Sequence, residues 1–147
     1  MRVAARRESI LLMHRGLTSE VIGACFEVST ELGHGFVESV YQKALLIALR
    51  DKGLSAEPQV QVGVRFRGQS VGEFVADIVV EDCVILEMKA VRALAPEHQA
   101  QLINYLNASG LDVGLLVNFG TPRVECCRCH RRGSDVEVET VQTEPTG

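Results

Sequence analysis

No stretch of this 147-residue chain is apolar for long enough to cross a membrane. The opening segment, MRVAARRESILLMHRG, has arginines and a short apolar patch. It lacks the long apolar core and small-residue cleavage site of a secretory signal. Glu8 and the scarcity of hydroxyl residues speak against a transit peptide. A cytoplasmic protein is therefore expected, with residues 1–17 as a loosely attached N-terminal arm. Nor is there a surplus of positive charge, the net charge being −4. A chain held to DNA mainly by a broad basic surface would not be acidic. Nucleic acid is not thereby excluded: carboxylates gathered around a metal lower the net charge, while the metal reverses the local field. Cysteines number five. Cys25 and Cys83 lie in apolar stretches and read as small core residues. Cys126, Cys127 and Cys129 stand with His130 in ECCRCH, yet no second ligand pair lies at a zinc-site distance. The plainer reading is a strand of a reduced protein, with Cys127 and Cys129 facing one side and Cys126 the other. Internal repeats and linkers are missing too, which leaves one domain.

What is present suits a folded domain. Hydrophobic residues make up 46% and charged residues 23%, enough apolar surface to form a core. From Thr18, Val21, Cys25, Val28 and Leu32 recur at helical spacing, with Thr18 or Ser19 as cap and Gly33–Gly35 as stop. A second helix follows, with Val37, Val40, Tyr41, Ala44, Leu45 and Leu49 along one side and Gly53 after its end. The pattern then changes to alternation. In QVQVGVRFRG, Val60, Val62, Val64 and Phe66 share a face. GQS reads as a turn, and VGEFVADIVV and CVILEMK read as two more strands. Pro96 opens a helix that runs to Gly110. DVGLLVNFG is almost continuously apolar, as expected of a strand covered on both faces. RVECCRCH is one further strand. Residues 133–147 form a polar tail or an edge strand. Two helices, three strands, a helix and one or two strands predict an α/β (α+β) domain over 18–132, built on one mixed sheet.

The chemistry is expected at the second hairpin. Asp77, Glu87 and Lys89 sit at strand positions where charge is costly unless paired or metal-bound. Glu87 and Lys89 point the same way, roughly 7 Å apart at ~3.3 Å of rise per residue. Two carboxylates on neighbouring strands beside a lysine suit a hard divalent cation. A surface salt bridge explains the same residues more simply. Register decides between them. A two-residue turn at Glu81–Asp82 pairs Val80 with Cys83 and sends Asp77 and Glu87 to opposite faces. One more residue in the loop, or a bulge, pairs Val80 with Val84 and sets Asp77 across from Glu87. Ile78, Val80, Val84, Leu86 and Met88 then share the other face against helices. The odd-length register is the expectation here. Further along, His98, Gln101 and Tyr105 form a polar stripe on the helix after Pro96. Glu38 lies on the side of Tyr41 and Leu45, or serves the dipole as a first-turn acid.

GFVESVY gives the pattern G-x-x-E-x-x-Y through Gly35, Glu38 and Tyr41. Together with ADIVVEDCVILEMKAV, HQAQLINYL and GLLVNFG, in this order, it makes the chain resemble the GxxExxY protein family. That family is placed within the PD-(D/E)XK nuclease superfamily, and the resemblance spans residues 18 to 130. It implies a restriction-endonuclease-like core, a mixed sheet flanked by helices. Asp77 and Glu87 correspond to the metal-binding acids, Lys89 to the catalytic lysine and Glu38 to the helix glutamate that completes the site. Gln101 and Tyr105 match the Q-x-x-x-Y motif of the RecB-like branch. The proline that names the superfamily is Ala76 here. The implied activity is magnesium-dependent phosphodiester hydrolysis, with manganese as a substitute metal, on DNA ahead of RNA. Arg65, Arg67 and Arg92 are candidate phosphate contacts, Arg65 and Arg67 facing together along their strand. A homodimer follows by analogy alone. The rival reading is a non-catalytic module binding nucleic acid or protein on the same fold.

Overall fold

A computed structural model describes residues 14–132 and 135–141, with side chains through 131. Helix α1 (Arg15–Leu32) begins three residues before Thr18, with His14 as its N-cap. Thr18 does not cap the helix as expected. It is buried one turn inside, where its hydroxyl donates to the Arg15 carbonyl and accepts a 2.6 Å bond from Arg128 of the last-but-one strand. Helix α2 (Glu38–Asp51) buries Tyr41, Leu45, Leu46 and Leu49. Val37, expected on that apolar side, precedes the helix and is 68% exposed.

Strands β1 (Ala56–Phe66) and β2 (Gln69–Val80) form a long hairpin. Its turn is Arg67–Gly68, both at positive φ, not the GQS segment; Gln69 and Ser70 already pair with β1. Strand β3 (Val84–Lys89) continues the antiparallel meander, and helix α3 (Pro96–Ser109) carries the chain over to β4 (Val113–Asn118). β5 (Glu125–Arg132) and β6 (Asp135–Val141) complete a six-stranded sheet in the order β1-β2-β3-β4-β5-β6. Among the described strands only β3 and β4 run parallel, as their helical crossover requires. The polar tail thus supplies an edge strand over 135–141, so three strands follow α3 rather than one or two. Residues 1–13 and 142–147 lie outside the described residues.

The sheet separates two apolar layers. On one face α1 and α2 pack on Ile78, Val80, Val84, Leu86, Met88, Val113, Leu115 and Val117. On the other, Leu102 and Leu106 of α3 pack on Ala76, Val79, Ile85 and Leu116. β4 is buried at all six positions, as its unbroken apolar run predicts. Cys126 joins the first layer and Cys127 and Cys129 the second, so β5 keeps the expected alternation. The candidate site opens at the end of β2 and β3 that faces α3 and the N-terminus of α2.

Candidate active site

The β2–β3 connection is a tight turn with one residue added. Glu81 and Asp82 both lie in the left-handed region, and the Cys83 amide donates to the Val80 carbonyl at 3.0 Å. This is the backbone of a two-residue hairpin turn. Cys83 is then left over, and Val80 pairs with Val84, Val79 with Ile85 and Ile78 with Leu86. The odd register follows, with Asp77 across from Glu87. Cys83 does not share the Ile85 face; as the extra residue it leans toward the α1–α2 layer. Positive φ is costly for glutamate. It is held by the Glu81 amide donating to the Ser55 carbonyl at 2.8 Å, while the Glu81 carboxylate accepts from the Ser55 amide.

Asp77 and Glu87 interlock through their strands. The Met88 amide donates to Asp77 Oδ2 at 2.8 Å, and the Asp77 amide donates to Glu87 Oε1 at 3.3 Å. Glu87 is only 5% exposed. Burial, and then the charge of Asp77, push its carboxyl up to about 8, against the pull of the Asp77 amide and Lys89. Burial also raises Asp77, while the Met88 amide and Lys89 act in the opposite direction. Glu87 is buried and Asp77 half-buried, and a proton or a cation relieves the repulsion between them. On the α2 side, the Gln42 amide group donates to the Asp77 carbonyl at 3.1 Å and fixes β2 against the helix.

Glu38 and the α3 stripe border this pair. Glu38 is the first residue of α2, solvent-exposed at the rim. Partial burial and then Asp77 raise its carboxyl, with Lys89 and His98 opposing. The G-x-x-E-x-x-Y pattern has a plain structural meaning. Gly35 takes φ 115°, a conformation other residues rarely adopt. Buried Tyr41 donates its hydroxyl to the Gly33 carbonyl at 2.7 Å and accepts from the Phe36 amide at 3.2 Å. Tyr41 also stacks on Phe119, ring centroids 4.7 Å apart. The loop before Glu38 is thereby clamped. From α3, Tyr105 is half-buried at this edge, and burial, then Glu87 and Asp77, raise its hydroxyl, while exposed Gln101 lies one turn before it. Of the stripe, His98 does a different job: its Nδ1 accepts from the Ala95 amide at 3.0 Å and caps α3.

A family model for the PD-(D/E)XK nuclease superfamily matches residues 15–129. The chain belongs to the PD-(D/E)XK nuclease superfamily. No curated protein matches it. Among solved structures, the crystal structure of SSO0001 is similar at 17% identity and a TM-score of 0.45, covering 71% of this chain. This chain corresponds to 49% of that one, about half its length.

PD-(D/E)XK nucleases typically use divalent metals, and the donor set here can be tested for fit. Among the described residues no three His, Cys, Asp or Glu side chains gather as a ready-made cage. Glu38, the expected third acid, stands at the rim instead of closing on the pair. Two carboxylates on adjacent strands nevertheless suit magnesium, which keeps several waters and takes one or two carboxylates plus substrate phosphate. The repulsion from Asp77 that helps raise Glu87 is one that a cation between the two acids would relieve.

Three supporting residues carried no assigned role in the sequence reading. Phe74 stacks flat on Tyr105, centroids 3.7 Å apart, and floors the α3 side of the site. Asn118 is fully buried at the end of β4 and brackets Val91: its Oδ1 accepts from the Val91 amide and its Nδ2 donates to the Val91 carbonyl, both at 3.0 Å. Gly120 lies so close to this loop that a Cβ would sit 2.2 Å from the Val91 carbonyl oxygen. The available signal was a polar residue inside an apolar run, since a buried amide must find partners. The Phe119 amide donates to the Lys89 carbonyl at 2.8 Å, so this brace holds the lysine's backbone directly.

The expected phosphate contacts are scattered. Arg65 and Arg67 do not face together along a strand, because the strand ends at Phe66 and Arg67 belongs to the turn. Arg92 is exposed in the connection between β3 and α3. No described helix is long and apolar enough to cross a membrane.

Proposed function

We propose that the chain is a magnesium-dependent nuclease that hydrolyses phosphodiester bonds of DNA, a GxxExxY-type member of the RecB-like branch. The observation that supports this most is the register that sets Asp77 across from Glu87, with Lys89 two residues farther on the Glu87 face. Asp77 and Glu87 would hold the cation, with Glu38 reaching it from the rim. A magnesium or manganese ion there would neutralise charge on a phosphoryl oxygen and acidify the attacking water. Lys89 orients that water, takes its proton, or offsets charge developing on the phosphate. Gln101 and Tyr105 wall the substrate against the Phe74 floor and limit water on that side.

The test is cleavage of plasmid, single-stranded DNA and RNA in magnesium or manganese, across salt and pH. Cleavage is expected from the wild type. Asp77→Asn and Glu87→Gln should abolish it and weaken magnesium binding by calorimetry, with the circular dichroism spectrum unchanged. A wild type inert on every substrate overturns the nuclease reading. Unchanged magnesium affinity in both variants overturns the ligand assignment.

A further inference from the structure

The β1–β2 hairpin outgrows the body of the protein. Every residue from 65 to 73 is exposed, and the tip displays Phe66 at 60% exposure. An aromatic ring left in water at the end of an arm contributes nothing to either apolar layer. The face it occupies is the informative point. Val60 and Phe74 pack with the α3-side layer that also contains Ile85, two residues before Glu87. Val62 pairs with Phe74, and the alternating burial of Val60, Val62 and Val64 carries that face outward to Phe66. Across from Val64 stands Gly72, which has no side chain to wall the track. An apolar track therefore leads from the Phe74–Tyr105 stack to the tip on the side of the candidate site.

The arm also differs in charge from the rest of the chain. Residues 58–72 contain two arginines and no acid, in a chain of net charge −4. The Arg67 guanidinium lies 4.9 Å from the Phe66 ring centroid, forming a cation–aromatic platform at the tip. Arg65 is used otherwise: its Nη1 donates to the Gly68 carbonyl at 3.0 Å and closes the turn. Phe66 lies seven residue steps from Gln59, the position across from Asp77 between the pairs Pro58–Ile78 and Val60–Ala76. At ~3.3 Å per residue, that is about 23 Å, or about seven nucleotides of stacked nucleic acid at ~3.4 Å each.

We propose that this hairpin is a substrate-binding arm, in which Phe66 stacks on an unpaired base about seven nucleotides from the cleaved bond and Arg67 contacts the adjoining phosphate. The choice of nucleic acid as occupant rests on the nuclease reading. The arm makes the preferred substrate one with a single-stranded segment, because a stacking platform needs an open base face and is indifferent to sequence.

The test measures fluorescence anisotropy of a labelled oligothymidylate and of a duplex of equal length. It uses the Glu87→Gln protein, which on the nuclease reading binds without cutting. Adding Phe66→Ala should weaken single-strand binding about tenfold and duplex binding much less, and Phe66→Tyr should restore it. Arg67→Ala should weaken both and reduce the salt dependence. Single-strand binding unchanged by Phe66→Ala, or no binding of either nucleic acid by the parent, overturns the arm. Wild-type cleavage is read in parallel. Cleavage with binding independent of Phe66 overturns the arm alone. Phe66-dependent binding without cleavage supports the arm and overturns the nuclease reading alone.

Discussion

At Glu87, a carboxylate that is 5% exposed sits within hydrogen-bond reach of Asp77, and its ionisation is pushed up to about 8 from a usual 4.5. Below pH 4.5 folded and unfolded chains both hold the proton. As pH rises from there to about 8 the unfolded chain releases it while the folded chain keeps it, so stability falls across that window. In EDTA the loss should be on the order of 5 kcal/mol, visible as a falling Tm. Magnesium should flatten the profile, and Glu87→Gln should flatten it without metal. A Tm that rises over this range would contradict the buried pair. On the nuclease reading, Lys89 has a kinetic signature instead. Lys89→Ala should lower kcat at least about a hundredfold with little change in KM; normal turnover with a raised KM would make it a phosphate anchor.

At the scale of elements, the register of the β2–β3 hairpin decides what the site is made of. Deleting Cys83 should leave a plain two-residue hairpin in which Val80 still pairs with Val84, so Asp77 stays across from Glu87 and magnesium binding in calorimetry is kept. An alanine inserted between Val84 and Ile85 should instead set Asp77 across from Leu86, turn Glu87 to the other face and abolish magnesium binding. If the insertion variant still binds magnesium, the register is not what joins the two acids. This register was legible in the sequence because strand periodicity is strict: one slip would have turned Val84, Leu86 and Met88 out of the core. The start of α1 was not legible in this way. Thr18 resembles a cap locally, and only the contact with Arg128, 110 residues away, explains its position inside the helix. The turn of the first hairpin was misplaced for a similar reason, since Arg67 takes a left-handed conformation that its residue type disfavours.

For the molecule as a whole, the order of elements and the mixed sheet could be read from periodicity, while the brace at the end of β4 could not. Asn118 and Gly120 act on a loop that follows β3, and nothing local to either segment announces the meeting. Gly120→Ala should destabilise the fold by about 3 kcal/mol or more in urea unfolding, because backbone fills the space its methyl would need. Asn118→Ala should leave Val91 with two unpaired backbone groups and cost about 2 kcal/mol. Loss of Val91 amide protection in hydrogen exchange would locate the damage.

The pairing of Lys89 with Asn118 also has a consequence for synthesis. A nascent chain emerges from its N-terminus, so both acids, the lysine and the whole hairpin are made before β4 exists. Until residues 113–118 arrive, β3 is an edge strand with its backbone unpaired on that side, and Lys89 has no brace behind it. On the nuclease reading, the protein should therefore be inert toward the nucleic acids crowded around the ribosome until β4 has been translated. A chain ending at residue 112 should show no nuclease activity under conditions where the full chain cleaves.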